Sequence, residues 1–418
     1  MILKSTLIVF TGNIFAHLIN YLYHFVAGYF LSPDQFGLLQ SFVSLNYFLA
    51  VIVSSFSLSI IHQLNKTPTS KKTALIANLQ NLSLKLTLII WLACLLLFPV
   101  IKTLLRFDNP YLLIIFSIQI LFSFVPTLYL SLIQANLKFT QFSLINLLSP
   151  LTKTLSALIL FLLGFKIFGA LIGLSLAGLV PAIYSFLLVK KHFPSHRLVG
   201  LWPNLTPLTG SDPVTPLPKS FFKFGLAAFI VNLSLTSLYN SDLLLVRFYF
   251  SNEQSGIYAA ASILSKIIFF VSATVLTVAF PVFTLHANNL KKLKTNFTQS
   301  LFLITTIAFL GLTFYQTYPH LVIKLFSNPA YAKSSTLLSG FSLFFFFFTI
   351  LNLLIQLLLT INKRWTIVVS LLSAILQLTL IFFFHQNLTQ IISNSIIAAL
   401  TGLTLSLGVT IKKLYVKA

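Results

Sequence analysis

Acidic side chains are the scarcest charged groups of this sequence. Of its 418 residues only five are Asp or Glu, against 27 Lys and Arg. The one cysteine, Cys94, lies in an apolar run, which excludes a disulfide framework and a thiolate metal site. With so few carboxylates, the chain also has few side chains that could act as a general acid or base. We therefore predict neither a metal site nor a cofactor, and no enzymatic activity.

Apolar residues fill the chain instead. Hydrophobic residues make up 57% of the sequence and charged residues 8%, and the mean hydropathy is +0.96. A water-soluble domain of this length does not have such a composition. The first apolar segment has no small-residue cleavage site and is long enough to span, so we expect it to be retained. The sequence predicts an all-α, polytopic membrane protein.

Twelve apolar runs are long enough to cross a bilayer, which takes about 20 helical residues. The predicted spans are residues 6–30, 38–62, 80–105, 111–135, 142–163, 168–189, 221–248, 256–283, 297–320, 336–361, 366–384 and 390–411. A proline-rich segment at 191–219 separates them into two sets of six, because proline removes backbone donors and disfavours a continuous helix. We predict an amino-terminal lobe (1–190), a cytoplasmic linker (191–219) and a carboxy-terminal lobe (220–418).

The basic residues indicate orientation rather than nucleic-acid binding. They are scattered between apolar segments and form no long basic face, and most of the 27 fall on one side of the predicted spans. Because segments rich in Lys and Arg resist translocation, we predict that this side and both termini are cytoplasmic. Anionic lipid headgroups are the expected partners of these charges.

A sequence repeat relates the two lobes. The turn FLSPDQFG at residues 30–37 returns as YFSNEQSG at 249–256, and the same offset of 219 superimposes Asn13 on Asn232. Two of the five acidic residues match in this alignment. With six spans per lobe, the halves have the same orientation and form a parallel repeat, which is typical of transporters.

Polar residues line one face of the first span. Asn13, His17, Asn20 and His24 recur at helical spacing, and the equivalent positions of the seventh span include Asn232 and Tyr239. We expect these faces to meet across a central cavity. Alternatively, they make hydrogen bonds between helices within each lobe.

Charged residues also fall within the spans. Lys153 and Lys266 are predicted near the middle of the membrane, where an ammonium costs about 2.5–3.5 kcal/mol and normally faces water, a partner or a substrate. Asp242 is the one carboxylate that we place inside a span, with Arg247 five residues later. A salt bridge to a neighbouring base is the alternative to a substrate or proton role for Asp242. Lys85, near a span end, is expected to reach the membrane surface.

Short motifs give the chain a resemblance to a known family. They are LSPDQFG at 31–37, DLLLVR at 242–247, SGIYAAA at 255–261, Pro281 and AYA at 330–332. In this order they resemble the polysaccharide transporters, or O-antigen flippases, of the superfamily that also contains multidrug MATE exporters and lipid II flippases. The resemblance implies two six-helix lobes in a V shape, with substrate entering between them along spans 1, 2, 7 and 8.

The resemblance also implies a function. Members of this family move undecaprenyl-pyrophosphate-linked oligosaccharides from the cytoplasmic to the outer leaflet of the bacterial cell membrane. We therefore expect a polyprenyl-pyrophosphate-linked oligosaccharide as substrate, with glycan-assembly proteins as further partners. The hypothesis is that Lys266 and Lys153 attract the pyrophosphate. The candidate substrate-binding residues are Lys266, Lys153, Asp242, Arg247, Asn13, His17, Asn20, His24, Asn232 and Tyr239.

Two other functions stay open at this point. A MATE-type exporter that exchanges drugs for cations generally uses buried carboxylates, and the amino-terminal half has none within a span. A membrane glycosyltransferase or polymerase needs catalytic carboxylates or a sizeable outer domain, whereas the predicted outer loops are short and contain only Asp34, Asp108 and Glu253 as acids. Both alternatives fit the composition less well than the flippase.

Overall fold

Helices account for nearly all of the chain that the computed structural model describes, residues 2–68, 71–136, 138–192, 219–287, 289–326, 328–361 and 363–416, and no strand occurs there. The α-helices of this part are α1 (Ile2–Phe30), α2 (Pro33–Lys66), α3 (Lys72–Leu96), α4 (Phe98–Leu105), α5 (Tyr111–Leu121), α6 (Phe124–Ala135), α7 (Phe139–Leu162), α8 (Lys166–His192), α9 (Lys219–Tyr249), α10 (Asn252–Leu285), α11 (Leu290–Thr317), α12 (Pro319–Ile323), α13 (Ser335–Ile361), α14 (Lys363–Phe383) and α15 (Leu388–Ile411). The predicted all-α membrane fold is confirmed.

Two predicted spans are divided in the structure. The third becomes α3 and α4, which meet at Leu97, and the fourth becomes α5 and α6, which are separated by Phe122 and Ser123. Proline explains both interruptions: Pro99 and Pro126 lie in the first turns of α4 and α6. There the missing N–H is tolerated, but the ring disfavours helix in the preceding turn.

The number of spans follows from length and composition. Within the described residues, 11 helical segments are long and apolar enough to cross a membrane, and they begin with residues 33–61. Helix α1, which contains the first predicted span and its polar face, is not among these 11. The total of twelve and the symmetry of the two lobes therefore stay predictions.

The chain forms two compact units, and each unit is made of several separate segments of the sequence. The amino-terminal unit contains Met1–Tyr23, Leu49–Thr103 and Phe107–Phe229, and the carboxy-terminal unit contains His24–Phe48, Leu104–Arg106 and Ile230–Ala418. The adjoining ends of α1 and α2 thus belong to the carboxy-terminal unit. Of the predicted linker, residues 193–218 lie outside the described part of the chain. The lobe boundaries at 190 and 220 stay a prediction.

The amino-terminal unit has a core built from α2, α3, α6, α7, α8 and the start of α9. Ile60, Leu79 and Leu128 are fully buried in it, together with Tyr129. Gln80 Nε2 donates a hydrogen bond of 3.2 Å to the hydroxyl of Tyr129, so the polar atoms carried into this core are partly paired within it.

The doubled turn begins a helix in each repeat. Ser251 caps α10: its Oγ accepts from Gln254 N at 3.2 Å, and Gln254 Oε1 accepts from Ser251 N at 3.2 Å. Ser32 Oγ accepts from Gln35 N at 3.5 Å at the start of α2. The repeated Ser-x-Asp/Glu-Gln is thus a helix-capping sequence, in which the acidic residue also favours the positive end of the helix dipole.

The repeated glycine of each turn allows the two turns to pack against each other within the carboxy-terminal unit. A Cβ on Gly37 would lie 2.5 Å from Ser255 Oγ and 2.7 Å from Gly256 N. A Cβ on Gly256 would overlap the backbone of Pro33. The sequence repeat is therefore also a contact between its two copies, which explains why both copies end in glycine.

We predict that Gly256→Ala destabilises the protein although alanine is the better helix former. The added methyl must push apart backbone atoms, which costs about 1–3 kcal/mol, against a gain in helix propensity of about 1 kcal/mol. Gly408→Ala is the matched control because nothing lies within 4 Å of its added Cβ. Thermal unfolding in detergent should show a lower midpoint for the first variant only. Equal midpoints would contradict the close packing of the turns.

Candidate functional site

Lys153 lies buried in the amino-terminal unit with neutral partners. It projects from α7 with 7% of its surface exposed, and its Nζ donates to Asn20 Oδ1 on α1. The same nitrogen lies 4.3 Å from the centroid of the Tyr23 ring, also on α1. An amide oxygen and an aromatic face both stabilise an ammonium without neutralising it. The amine of Lys153 is thus held at a defined place inside the unit.

Helix α8 fixes the position of both Lys153 and Tyr23. Gly169 and Gly173 form a G-x-x-x-G pattern on α8, and a Cβ at Gly173 would lie 2.9 Å from the backbone oxygen of Lys153 and 3.0 Å from Cβ of Ala157. Small residues at this spacing let helices pack closely in membranes. Tyr23 Oη donates to Ala170 O on the same helix at 3.0 Å. Helix α8 therefore orients the lysine and the ring beneath it.

Lys266 has a similar environment in the carboxy-terminal unit. It is 3% exposed on α10, and its Nζ donates to Asn240 Oδ1 at 2.8 Å. Two aromatic rings lie near the same nitrogen, with centroids 5.5 Å away for Tyr239 and 5.9 Å away for Tyr47. Each unit thus contains a buried lysine bound to an asparagine oxygen beside tyrosine rings.

Asp242 lies next to the Lys266 environment on α9. The residue is 1% exposed, and its Oδ2 accepts from Tyr258 Oη at 2.7 Å. The carboxylate of Asp242 also interacts electrostatically with the amine of Lys266, so this lysine has an acidic neighbour in addition to its amide partner.

Arg247 binds the turn region. It is 1% exposed, and its Nε and Nη2 donate to the carbonyl oxygens of Leu105 (2.7 Å) and Arg106 (3.2 Å). Its Nη1 donates to Ser255 Oγ at 3.1 Å and forms an ion pair with Asp34 Oδ1 at 3.1 Å. The guanidinium therefore connects the start of α2, the end of α4 and the start of α10. These contacts are those of a structural residue.

The other predicted site residues are divided between the two units and differ in burial. His24 is buried in the carboxy-terminal unit, where its Nδ1 accepts from Gln40 Nε2 at 2.9 Å. Asn13 and His17 are half-buried on the part of α1 that belongs to the amino-terminal unit. Asn232 is half-buried on α9 in the carboxy-terminal unit. The expected meeting of the two polar faces stays a prediction.

Three partners of the lysines were not predicted from the sequence. Tyr23, Tyr47 and Asn240 were not among the candidate site residues, yet each lies against one of the two ammonium groups. A signal for Asn240 exists, since it continues the spacing of Asn232 and Thr236 by one helical turn. For the two tyrosines the sequence offers no comparable signal, because neither is close in sequence to its lysine. Among the described residues, no three His, Cys, Asp or Glu side chains come together as a metal site.

Comparison with known proteins gives the family. The family model described as polysaccharide biosynthesis protein matches residues 2–287. The chain belongs to this family. The match contains α1 to α10, and so it includes both lysine environments and both copies of the repeated turn. Curated proteins gave no match.

Solved structures give the fold. A lipid II flippase MurJ in an inward closed conformation superimposes with a TM-score of 0.76 at 15% identity, over 98% of this chain and 87% of that one. An inward-facing multidrug resistance MATE family transporter gives 0.68 at 14% identity, over 96% and 98%. A MOP superfamily transporter from Pyrococcus furiosus gives 0.65 at 14% identity, over 98% and 96%. This polysaccharide biosynthesis family member therefore has the MurJ and MATE transporter fold and is a multi-pass membrane protein.

We predict that Arg247→Met lowers stability far more than Asp34→Asn. Removal of the guanidinium leaves the carbonyl oxygen of Leu105, which is buried, and that of Arg106 without their donor, and an unsatisfied buried group costs about 1–3 kcal/mol. The side chain of Asp34 is 53% exposed, so water replaces its lost partner, and the cost is about 1 kcal/mol or less. Chemical unfolding of the two variants in detergent measures the difference. Equal losses would mean that the ion pair, not the carbonyl contacts, gives Arg247 its stabilising effect.

Proposed function

We propose that this protein moves a polyprenyl-pyrophosphate-linked oligosaccharide from the cytoplasmic to the outer leaflet by alternating access. Membership in the polysaccharide biosynthesis family and the transporter fold support this function. A flippase of this kind breaks no bond in its substrate, so the protein is a transporter and not an enzyme. We infer a bacterial cytoplasmic membrane with both termini on the cytoplasmic side, as the distribution of Lys and Arg favours.

The single observation that carries the proposal is the pair of buried lysines, each of which donates a hydrogen bond to an asparagine side chain. Lys153 and Lys266 donate to amide oxygens, which carry no net charge. A phosphate oxygen is a stronger acceptor for an ammonium than an amide oxygen, because the hydrogen bond is then assisted by charge on both sides. In each lysine environment a phosphate oxygen of the substrate can therefore compete with the asparagine oxygen for the ammonium.

The remaining roles follow from residue chemistry. In this proposal Asn13, His17, Asn20, Asn232 and Tyr239 provide donors and acceptors for sugar hydroxyls. Asp242 is part of the Lys266 environment, and in this proposal it is a substrate-binding residue. Arg247 and His24, which have partners within the fold, position helices and do not bind substrate.

A cation-coupled multidrug exporter is the second candidate, and one observation favours it. Asp242 is a buried carboxylate inside a helical segment that is long and apolar enough to span, and it lies beside Lys266. Such a group can take a proton or a cation during transport. Efflux of a cationic dye from proteoliposomes, driven by a proton or sodium gradient and lost in Asp242→Asn, would favour this candidate over the flippase.

The lysine roles are tested by substitution. Lys153→Gln and Lys266→Gln keep a donor but remove the charge, and we expect each to lower the flipping rate of lipid-linked oligosaccharide in proteoliposomes about tenfold or more. This range corresponds to losing a hydrogen bond between charged groups. Lys85→Gln is the matched control, because Lys85 lies exposed on α3, and it should flip at the parental rate.

Folding must be compared before the rates. Size-exclusion elution and thermal midpoints in detergent identify variants that have lost their structure, and only variants with parental values are scored. If well-folded Lys153→Gln and Lys266→Gln proteins flip substrate as fast as the parent, the lysines do not bind the pyrophosphate.

A further inference from the structure

A cavity of about 480 Å³ opens in the carboxy-terminal unit beside the second copy of the repeated turn. The turn contributes Ser251, Glu253 and Gln254 to its wall, and the first residues of α13 with the preceding 3-10 turn contribute Lys333 and Thr336. None of these residues belongs to the lysine environments. The volume lies within the usual range for small-molecule sites, about 300–1,000 Å³.

The walls of this cavity are fixed by buried contacts. Ser334 Oγ, which is fully buried, donates to Ile257 O at 2.9 Å and so ties the 3-10 turn to α10. A Cβ at Gly340 would lie 3.0 Å from a methyl of Ile392, so α13 and α15 pack closely just below the opening. The three wall elements therefore have a defined spacing, which a binding site requires.

The two charged groups of the cavity are available to a ligand. Glu253 and Lys333 are exposed, and neither forms an ion pair or side-chain hydrogen bond within the described part of the chain. Gln254 uses its Oε1 in the helix cap, which leaves its two Nε2 hydrogens free of that role. The cavity thus offers the Glu253 carboxylate as an acceptor and the Lys333 ammonium and the Gln254 amide as donors. Its one negative and one positive charge cancel.

The rest of the lining is apolar. Ile257 and Leu337 are buried side chains that reach the cavity, and Leu388 at the start of α15 completes this wall. A sugar ring has the same division of surface, with hydroxyl groups at its rim and C–H groups on its faces. Because the charges cancel, the lining favours neither an anionic nor a cationic ligand, and it suits a molecule that is rich in hydroxyl groups.

We propose that this cavity binds a neutral sugar unit of the transported glycan. The inference rests on the proposed function and adds a second site, for the oligosaccharide instead of the pyrophosphate. The end of α9 and the starts of α10, α13 and α15 all lie on the predicted outer side of the membrane, so the cavity is an exit subsite. Glu253 accepts from sugar hydroxyls, Lys333 and Gln254 donate to them, and Leu337 contacts a ring face.

The test uses the full-length protein in detergent and the free oligosaccharides that mild acid releases from the polyprenyl-pyrophosphate-linked glycans of the host cells. Binding is measured by isothermal titration calorimetry for the parent, Glu253→Gln and Lys333→Gln. We expect each variant to bind about tenfold more weakly, because one charge-assisted hydrogen bond is lost. Asp108→Asn and Lys102→Gln are the matched controls, being exposed residues of the same charge outside the cavity, and should bind like the parent.

Flipping of the intact lipid-linked oligosaccharide is measured in parallel. If the parent flips this substrate but Glu253→Gln and Lys333→Gln bind the free oligosaccharide as tightly as the controls, the exit subsite is wrong and the proposed function stands. The exit subsite is also wrong, and the proposed function stands, if the parent flips the lipid-linked oligosaccharide but does not bind the free oligosaccharide. If the parent flips no lipid-linked oligosaccharide, the proposed function fails and the subsite loses its basis.

Discussion

The low dielectric constant of the bilayer requires every charge within a span to have polar partners, and this chain has few carboxylates to supply them. Neutral groups take their place. Lys153 and Lys266 bind amide oxygens beside tyrosine rings. Arg247 binds two backbone carbonyls in addition to its one carboxylate. The scarcity of acids is therefore met differently at each base: Arg247 is paired with Asp34, Lys266 lies beside Asp242, and Lys153 is held by an amide oxygen and a tyrosine ring.

The internal repeat has a symmetric part and an asymmetric part. Its symmetric part, a capping serine and a glycine five positions later, starts a helix in each half and lets the two starts pack together. The asymmetric part is the ion pair of Asp34 with Arg247. The offset of 219 relates Arg247 to Gly28, where a Cβ would overlap the ring of Phe326. The aligned positions thus differ in their contacts, since Arg247 forms an ion pair with Asp34 and Gly28 packs against an aromatic ring.

Local features of the sequence predicted the fold well, and tertiary features were beyond it. Apolar runs predicted the helices because burial in lipid depends on composition over some 20 residues. The divisions at Pro99 and Pro126 were missed, since each run is apolar on both sides of the proline. Counting along the helix predicts that Lys153 and Lys266 lie near the middle of the membrane, and the structure buries both side chains inside the protein. Their tyrosine partners were not predicted, because side chains from distant segments meet only through packing.

Two kinds of recognition can be separated by the charges around them. At Lys153 the amine faces an amide oxygen and a tyrosine ring, whereas Lys266 has Asp242 nearby in addition to its amide partner; in the proposed function both lysines donate to an anion. At the cavity beside α10, Glu253 and Lys333 supply both signs next to an apolar wall, which favours a neutral molecule with donors and acceptors. A lipid-linked oligosaccharide contains both chemistries, with a pyrophosphate at one end and sugars at the other. The two proposed sites, one for an anion and one for a neutral sugar, therefore match the two ends of such a substrate.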